Sequence, residues 1–250
     1  MKTKKQNPHK GGTLTKEQIK WLNKCTTGTF SEGTWKLNPQ TGLVDVDGSF
    51  NCSRQGLSDF KGVRFGVVKR GFWCHYNHLT SLVGAPREVG GYFSCDDNQL
   101  TSLVGAPQKV GEDFWCEDNR LTSLEGAPRE IGGTFSCSDN RLTSLVGAPE
   151  KVRGTFCCHN NLLTSLVGAP RDVRGSFLCY DNPVPERTLK SIFSLMRKGA
   201  SYEEVLREKW KRYSHELKSL LYRAEYQWIP QEEHKMLSAL NKVNSVLNWI

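Results

Sequence analysis

The chain has 250 residues, enough to bury a core of ordinary size in one or two domains. Its 37% hydrophobic and 10% aromatic content excludes a disordered chain, since that much apolar surface offsets the entropy of ordering most of it. A net charge of +8 raises nucleic acid as a partner, yet residues 49–183 carry fourteen Lys/Arg and fourteen Asp/Glu, so the excess lies at the two ends and the middle is a poor template for a phosphate backbone.

The opening residues, MKTKKQNPHKGG, are basic and lack the apolar run of a signal peptide, and no run of about 18 apolar residues follows. A soluble, cytoplasmic protein with no membrane partner is expected. Nine cysteines, evenly spaced in a long chain, fit a reducing compartment better than a disulfide scaffold. Thr15-x-x-Gln18 spells a capping box and Leu14 with Ile19 a hydrophobic staple, which predicts a helix over about 16–26 ending near Gly28. Thr34 to Leu37 and Gly42 to Val46, separated by Asn-Pro-Gln-Thr, read as a β-hairpin. Tail, helix and hairpin together make residues 1–48 an N-terminal cap.

Residues 49–183 repeat. Cys74, Cys95, Cys116, Cys137, Cys158 and Cys179 follow one another at 21 residues, with Cys52 one position early at 22, and Asn77, Asn98, Asn119, Asn140, Asn161 and Asn182 keep the step. Each unit reads F-x-C-x-x-N-x-L-T-S-L-x-G-A-P. Phe and Cys alternate at period two, as a short strand with one buried face requires. The Asn lets the chain turn inward and bond backbone groups of neighbouring turns. Gly-Ala-Pro returns the chain along the outer side, where Pro forbids a regular helix, so extended or turn-like outer segments are expected.

After Asn182 the pattern becomes helical. A helix is predicted over 186–198, ended by Gly199. Ser201-x-x-Glu204 opens a second one to about 228, with Leu206, Trp210, Tyr213, Leu217, Leu220 and Ala224 apolar, and Pro230 starts a third. Residues 184–250 are therefore read as a C-terminal helical cap or extension.

The period and the F-x-C-x-x-N-x-L core resemble leucine-rich repeats, with Phe and Cys in the apolar slots. More narrowly, Asn98-Gln-Leu-Thr-Ser-Leu-Val-Gly-Ala-Pro107, Gly42-Leu-Val-Asp-Val-Asp-Gly48 and Asn182-Pro-Val-Pro are similar to phrases of accessory proteins common in large tailed bacteriophages and bacteria. The resemblance implies an α+β fold: a leucine-rich-repeat solenoid with a parallel concave β-sheet between a helix/hairpin cap and a helical cap. A viral counter-defence role is what that company implies. Similar repeats also precede a ubiquitin-ligase domain in some bacterial effectors, but no Cys follows Cys179 here to act as the nucleophile.

The chemistry-bearing patterns are few. The Cys column is expected to be small buried apolar residues, with no C-x-x-C and no convergent metal ligands. Cys74-His75 and Cys158-His159 place thiol and imidazole on opposite faces of a strand, so neither forms a dyad. No enzyme activity, cofactor or metal is expected. The outward columns carry the information: Trp73, Tyr92, Asp113 and Trp115 beside His75, Asp96, Glu117, His159 and Tyr180, then Tyr76, Asp97, Asp118 and Asp139. Exposed aromatics on a rigid face anchor interfaces, although cross-strand packing alone also places them there. Asp before Asn has its own explanation in turn chemistry, yet it makes the face acidic and suited to a basic or mixed patch on a protein.

A non-enzymatic, phage-encoded module is thus expected, one that binds and inhibits or modulates a host protein through the concave face. Two alternatives stand beside it: a nucleic-acid binder using Arg207, Lys209, Lys211, Arg212 and Lys218, and a structural or self-assembling virion component.

Overall fold

The structure is a computed structural model and describes residues 13–27, 33–164, 168–179 and 181–183. It is a parallel β-solenoid. Helix α1 spans Lys16–Thr26, with Thr15 as N-cap: the Thr15 hydroxyl accepts from Gln18 N, and the Gln18 side chain accepts from Thr15 N in return. The helix ends at Thr27 in an extended conformation. Trp21, Leu22 and Cys25 are buried, and Leu14 packs on the same core, whereas Ile19, the other half of the expected staple, is 38% exposed. The hairpin pairs β1 (Gly33–Leu37) with β2 (Val44–Gly48) antiparallel. Its turn is held by Asn38 Oδ1, which accepts from Gln40 N and Thr41 N.

The coils contain two sheets, where the repeat pattern predicts one. The expected sheet consists of β3 (Phe50–Asn51), β5 (Phe72–Trp73), β7 (Phe93–Ser94), β9 (Phe114–Trp115), β11 (Phe135–Ser136), β13 (Phe156–Cys157) and β15 (Phe177–Leu178), all parallel. A second sheet runs β1-β2-β4-β6-β8-β10-β12-β14, through β4 (Phe65–Val68), β6 (Glu88–Val89), β8 (Lys109–Val110), β10 (Glu130–Ile131), β12 (Lys151–Val152) and β14 (Asp172–Val173). The stretch after Gly-Ala-Pro is extended, as expected, but it also pairs with its copies in adjacent coils. The 22-residue step before Cys74 is absorbed in β4, where pairing shifts from Val44↔Phe65 to Val46↔Val68 across a bulge.

Between the sheets lies a continuous column of phenylalanines. Phe50, Phe72, Phe93, Phe114, Phe135, Phe156 and Phe177 follow one another at 4.9–5.8 Å between ring centroids. Trp21 of α1 meets the first of them edge-on at 5.3 Å. The cysteine column is buried alongside, with the Cys74 and Cys116 thiols donating to the carbonyls of Ser94 and Ser136. Each repeat Asn clips its own coil to the one before. Asn98 Nδ2 donates to the carbonyls of Cys74, Cys95 and Asp96, and its Oδ1 accepts from Leu79 N. These backbone groups would otherwise be buried without partners. The spacing is tight enough to demand glycine: a Cβ on Gly111 would lie 2.0 Å from Gly90 O. The helices expected over 186–250 lie outside the described residues, and among those described no helix is long and apolar enough to cross a membrane.

Candidate functional site

The outward face of the seven-stranded sheet brings most of the expected residues together, with corrections. Trp73 and Trp115 are half-buried, not fully exposed. Trp73 lies flat on its own strand: a Cβ on Gly71, two residues earlier on the same face, would stand 2.4 Å from its Cη2, so glycine makes room for the indole. Trp115 stacks on Tyr92 of the preceding coil at 5.5 Å and 17°. Tyr92 remains 40% exposed, and Glu112 beside its hydroxyl raises the phenol's proton affinity above the ordinary value. Ser94 and Ser136 alternate with the indoles in the same column and are buried, contrary to the outward exposure expected of that column.

Those serines knit the face. Ser94 Oγ donates to Asp96 Oδ1 at 2.5 Å and lies 2.8 Å from His75 Nδ1. Ser136 Oγ donates to Glu117 Oε1 and lies 3.4 Å from Ser138 Oγ, which is 2.9 Å from His159 Nδ1. His159 Nε2 faces Asp139 Oδ2 at 3.8 Å, and Asn160 donates to Asp139. Asp113 Oδ1 accepts from Thr134 N. The sequence sets the three serines in the outward columns but does not show the bonds they make across coils. Their signal was small residues standing wherever a neighbouring coil presents a long polar side chain.

The order Ser138, His159, Asp139 invites comparison with a nucleophilic triad, but Ser138 is 0% exposed, so no substrate can reach its oxygen. Cys157 is equally unsuited to attack. Burial, with the nearby Glu117 and against a Ser136 hydrogen bond, raises its pKa to about 11, so the thiol stays protonated at neutral pH. Cys74 and Cys158, beside the two histidines in sequence, are fully buried on the other side of the strand. No group of three or more His, Cys, Asp or Glu side chains that could hold a metal occurs among the described residues.

Tyr76, Asp97, Asp118 and Asp139 occupy one column in the left-handed region, at φ between 48° and 56°. Their first reason for being where they are is thus the backbone, since Asp and Asn tolerate that region best after Gly. Tyr76 does not share this tolerance. It is 45% exposed, and the guanidinium of Arg54 from the preceding coil lies 3.9 Å over its ring. The carboxylates crowd one another. Burial first, then Asp139, Asp97, Glu117 and Asp96, raise the pKa of Asp118 above its ordinary value. His75 moves the other way, held below its ordinary value mainly by burial, with Asp96 opposing. Tyr180 and the basic set Arg207, Lys209, Lys211, Arg212 and Lys218 lie outside the described residues.

The eight-stranded sheet presents a different surface. Glu88 and Lys109 pair at 2.9 Å and Glu130 with Lys151 at 2.8 Å. Over the exposed Gly90, Gly111 and Gly132 runs an open groove of about 870 Å³, edged by Gln108, Arg129 and Arg153. Close coil stacking explains the glycines, and mutual pairing the alternating charges.

Comparison with models of known protein families finds no match to this chain, and comparison with curated proteins finds none either.

Proposed function

We propose that the chain is a non-catalytic binding module, a solenoid of leucine-rich-repeat type that docks on another protein through the face of its seven-stranded sheet. The observation that carries this reading is the stacked Tyr92–Trp115 pair, an aromatic patch on a face rich in carboxylates, histidines and hydroxyls. Aromatic anchors in polar surroundings are the usual centres of protein interfaces. A coil stack that is already hydrogen-bonded throughout loses little entropy on docking. The similarity of its repeat phrases to accessory proteins of large phages supports a setting in which the partner is a host protein that the module inhibits or modulates. Burial of Ser138 and the protonated thiol of Cys157 leave neither as a competent nucleophile on the described part of the face, which favours binding over catalysis.

The test is affinity capture from host lysate with wild type and Trp73→Ser/Trp115→Ser. Serine is the residue that neighbouring coils carry in that column, at Ser94 and Ser136, so the variant should fold. Loss of a specific partner is expected; undiminished recovery by the folded variant would refute docking through this face.

A further inference from the structure

Four outward columns make up the face, and Arg54 is the one arginine or lysine among their described members. Against it stand Asp96, Asp97, Asp113, Glu117, Asp118 and Asp139, spread over three consecutive coils around the Tyr92–Trp115 pair. A run of carboxylates flanking exposed aromatic rings is complementary to a cation that is both charged and flat. The molecule already shows the pairing on itself: the Arg54 guanidinium rests 3.9 Å over Tyr76, at the edge of this same face. Beyond Tyr76, toward β9, the carboxylates continue but no further arginine is supplied from the chain's own described columns.

We propose that the face recognises an arginine-rich segment of its protein partner, one guanidinium lying on the Tyr92–Trp115 rings and its neighbours meeting the Asp97–Asp118–Asp139 column. This rests on the docking role proposed above and assigns its chemistry. Guanidinium is favoured over ammonium because it stacks on aromatic faces and offers paired N–H donors to a carboxylate, which lysine cannot do. A polyanion such as nucleic acid meets repulsion on this face. Asp118, its proton affinity raised first by burial and then by the neighbouring carboxylates, would be relieved by a cation set against it.

The repeat itself supplies variants that keep the fold. Asn160 occupies the left-handed position at φ 51°, so Asp97→Asn/Asp118→Asn/Asp139→Asn removes charge without straining the backbone. Tyr92→Thr/Trp115→Ser installs residues found at Thr134 and Ser136. Fluorescence anisotropy with labelled nona-arginine and nona-lysine peptides on the full chain reads the outcome. Saturable nona-arginine binding is expected, weakened roughly tenfold in the triple Asn variant by the loss of three charge contacts. Nona-lysine should bind less tightly than nona-arginine by about threefold, a difference the aromatic variant abolishes.

Absence of saturable nona-arginine binding, equal affinity for the two peptides on wild type, or unchanged affinity in the Asn variant would overturn the proposal. So would light scattering that shows concentration-dependent self-association lost in these variants while nona-arginine leaves the face untouched, because the occupant would then be a second copy. Peptide failure with face-dependent capture intact removes the arginine assignment and leaves docking in place. Face-independent capture with nona-arginine binding intact removes docking and leaves the cation recognition.

Discussion

Arg54, Tyr76, Asp97, Asp118, Asp139, Asn160 and Asp181 each hold a left-handed backbone one residue before the coil's turn inward. Asp118 shows how fold and face compete for such a residue. Its carboxyl is held above the ordinary 3.8 by burial and then by neighbouring carboxylates, so the folded state binds its proton at higher pH than the unfolded state does. The stability it contributes therefore rises as pH falls from the raised value toward 3.8, and above the raised value the full penalty is present. Asp118→Asn should leave the urea midpoint at neutral pH unchanged or higher and should remove this acid-side gain. Asp118→Val should lower stability by about 1–2 kcal/mol, the cost of a left-handed residue with a crowded Cβ. His75 acts with the opposite sign. With its folded value below the ordinary 6.5, its contribution is complete above 6.5 and is lost as pH falls through the lowered value. His75→Ser, the residue at Ser53 and Ser138 in that column, should flatten the decline in stability between neutral and mildly acidic pH; an unaltered slope would show that the imidazole is not its source.

At the scale of the coil, the repeat Asn and the stacking Gly set what can change. Asn119 Nδ2 faces the carbonyls of Cys95, Cys116 and Glu117 at 2.9–3.3 Å while its Oδ1 takes Leu100 N. Asn119→Ala leaves those groups unpaired and should cost about 1–3 kcal/mol. Asn119→Asp aims negative charge at three carbonyl oxygens and should cost more, above roughly 3 kcal/mol. Thermal unfolding of the pair checks the order, and an Asp variant as stable as the Ala variant would contradict the clip geometry. Gly111→Ala, forced against Gly90 O, should cost about 1–3 kcal/mol through separation of the coils. The Asn role was legible because a buried amide at a fixed step has few other uses, and so were the Phe-Cys strand, the capping box at Thr15 and the hairpin. The second sheet was not, since two extended residues such as Glu88–Val89 show no periodicity along the chain. Its mark runs across the repeats, in the alternation of Glu88, Lys109, Glu130, Lys151 and Asp172 at 21-residue spacing, where register places Glu88 opposite Lys109, Glu130 opposite Lys151 and Lys151 opposite Asp172. The hydrogen-bonded network of the face was hidden for the same reason: His75 meets Ser94 only through the stacking of coils.

Charge that balances along residues 49–183 separates in space, with carboxylates on the seven-stranded face and ion-paired ladders on the eight-stranded one. That separation, invisible in a net count, gives a neutral middle one acidic face, the feature on which the proposed docking rests. The same stacking makes stability a matter of nearest neighbours, since each coil bonds chiefly to the one before and the one after. Phe114 stands mid-stack between Phe93 and Phe135, fully buried. Phe114→Ala should remove about 3–5 kcal/mol by opening a cavity in the column. In a neighbour-coupled stack the damage should stay local. Amides bonded across the breach, those of Phe93, Cys95 and Cys116, should lose hydrogen-exchange protection strongly, while Phe50 and Cys52, bonded to the coil of Phe72, should lose little. Uniform loss across all these amides would mean that the solenoid opens as one unit, and that the face on its central coils depends on every coil, including those distant from Trp115.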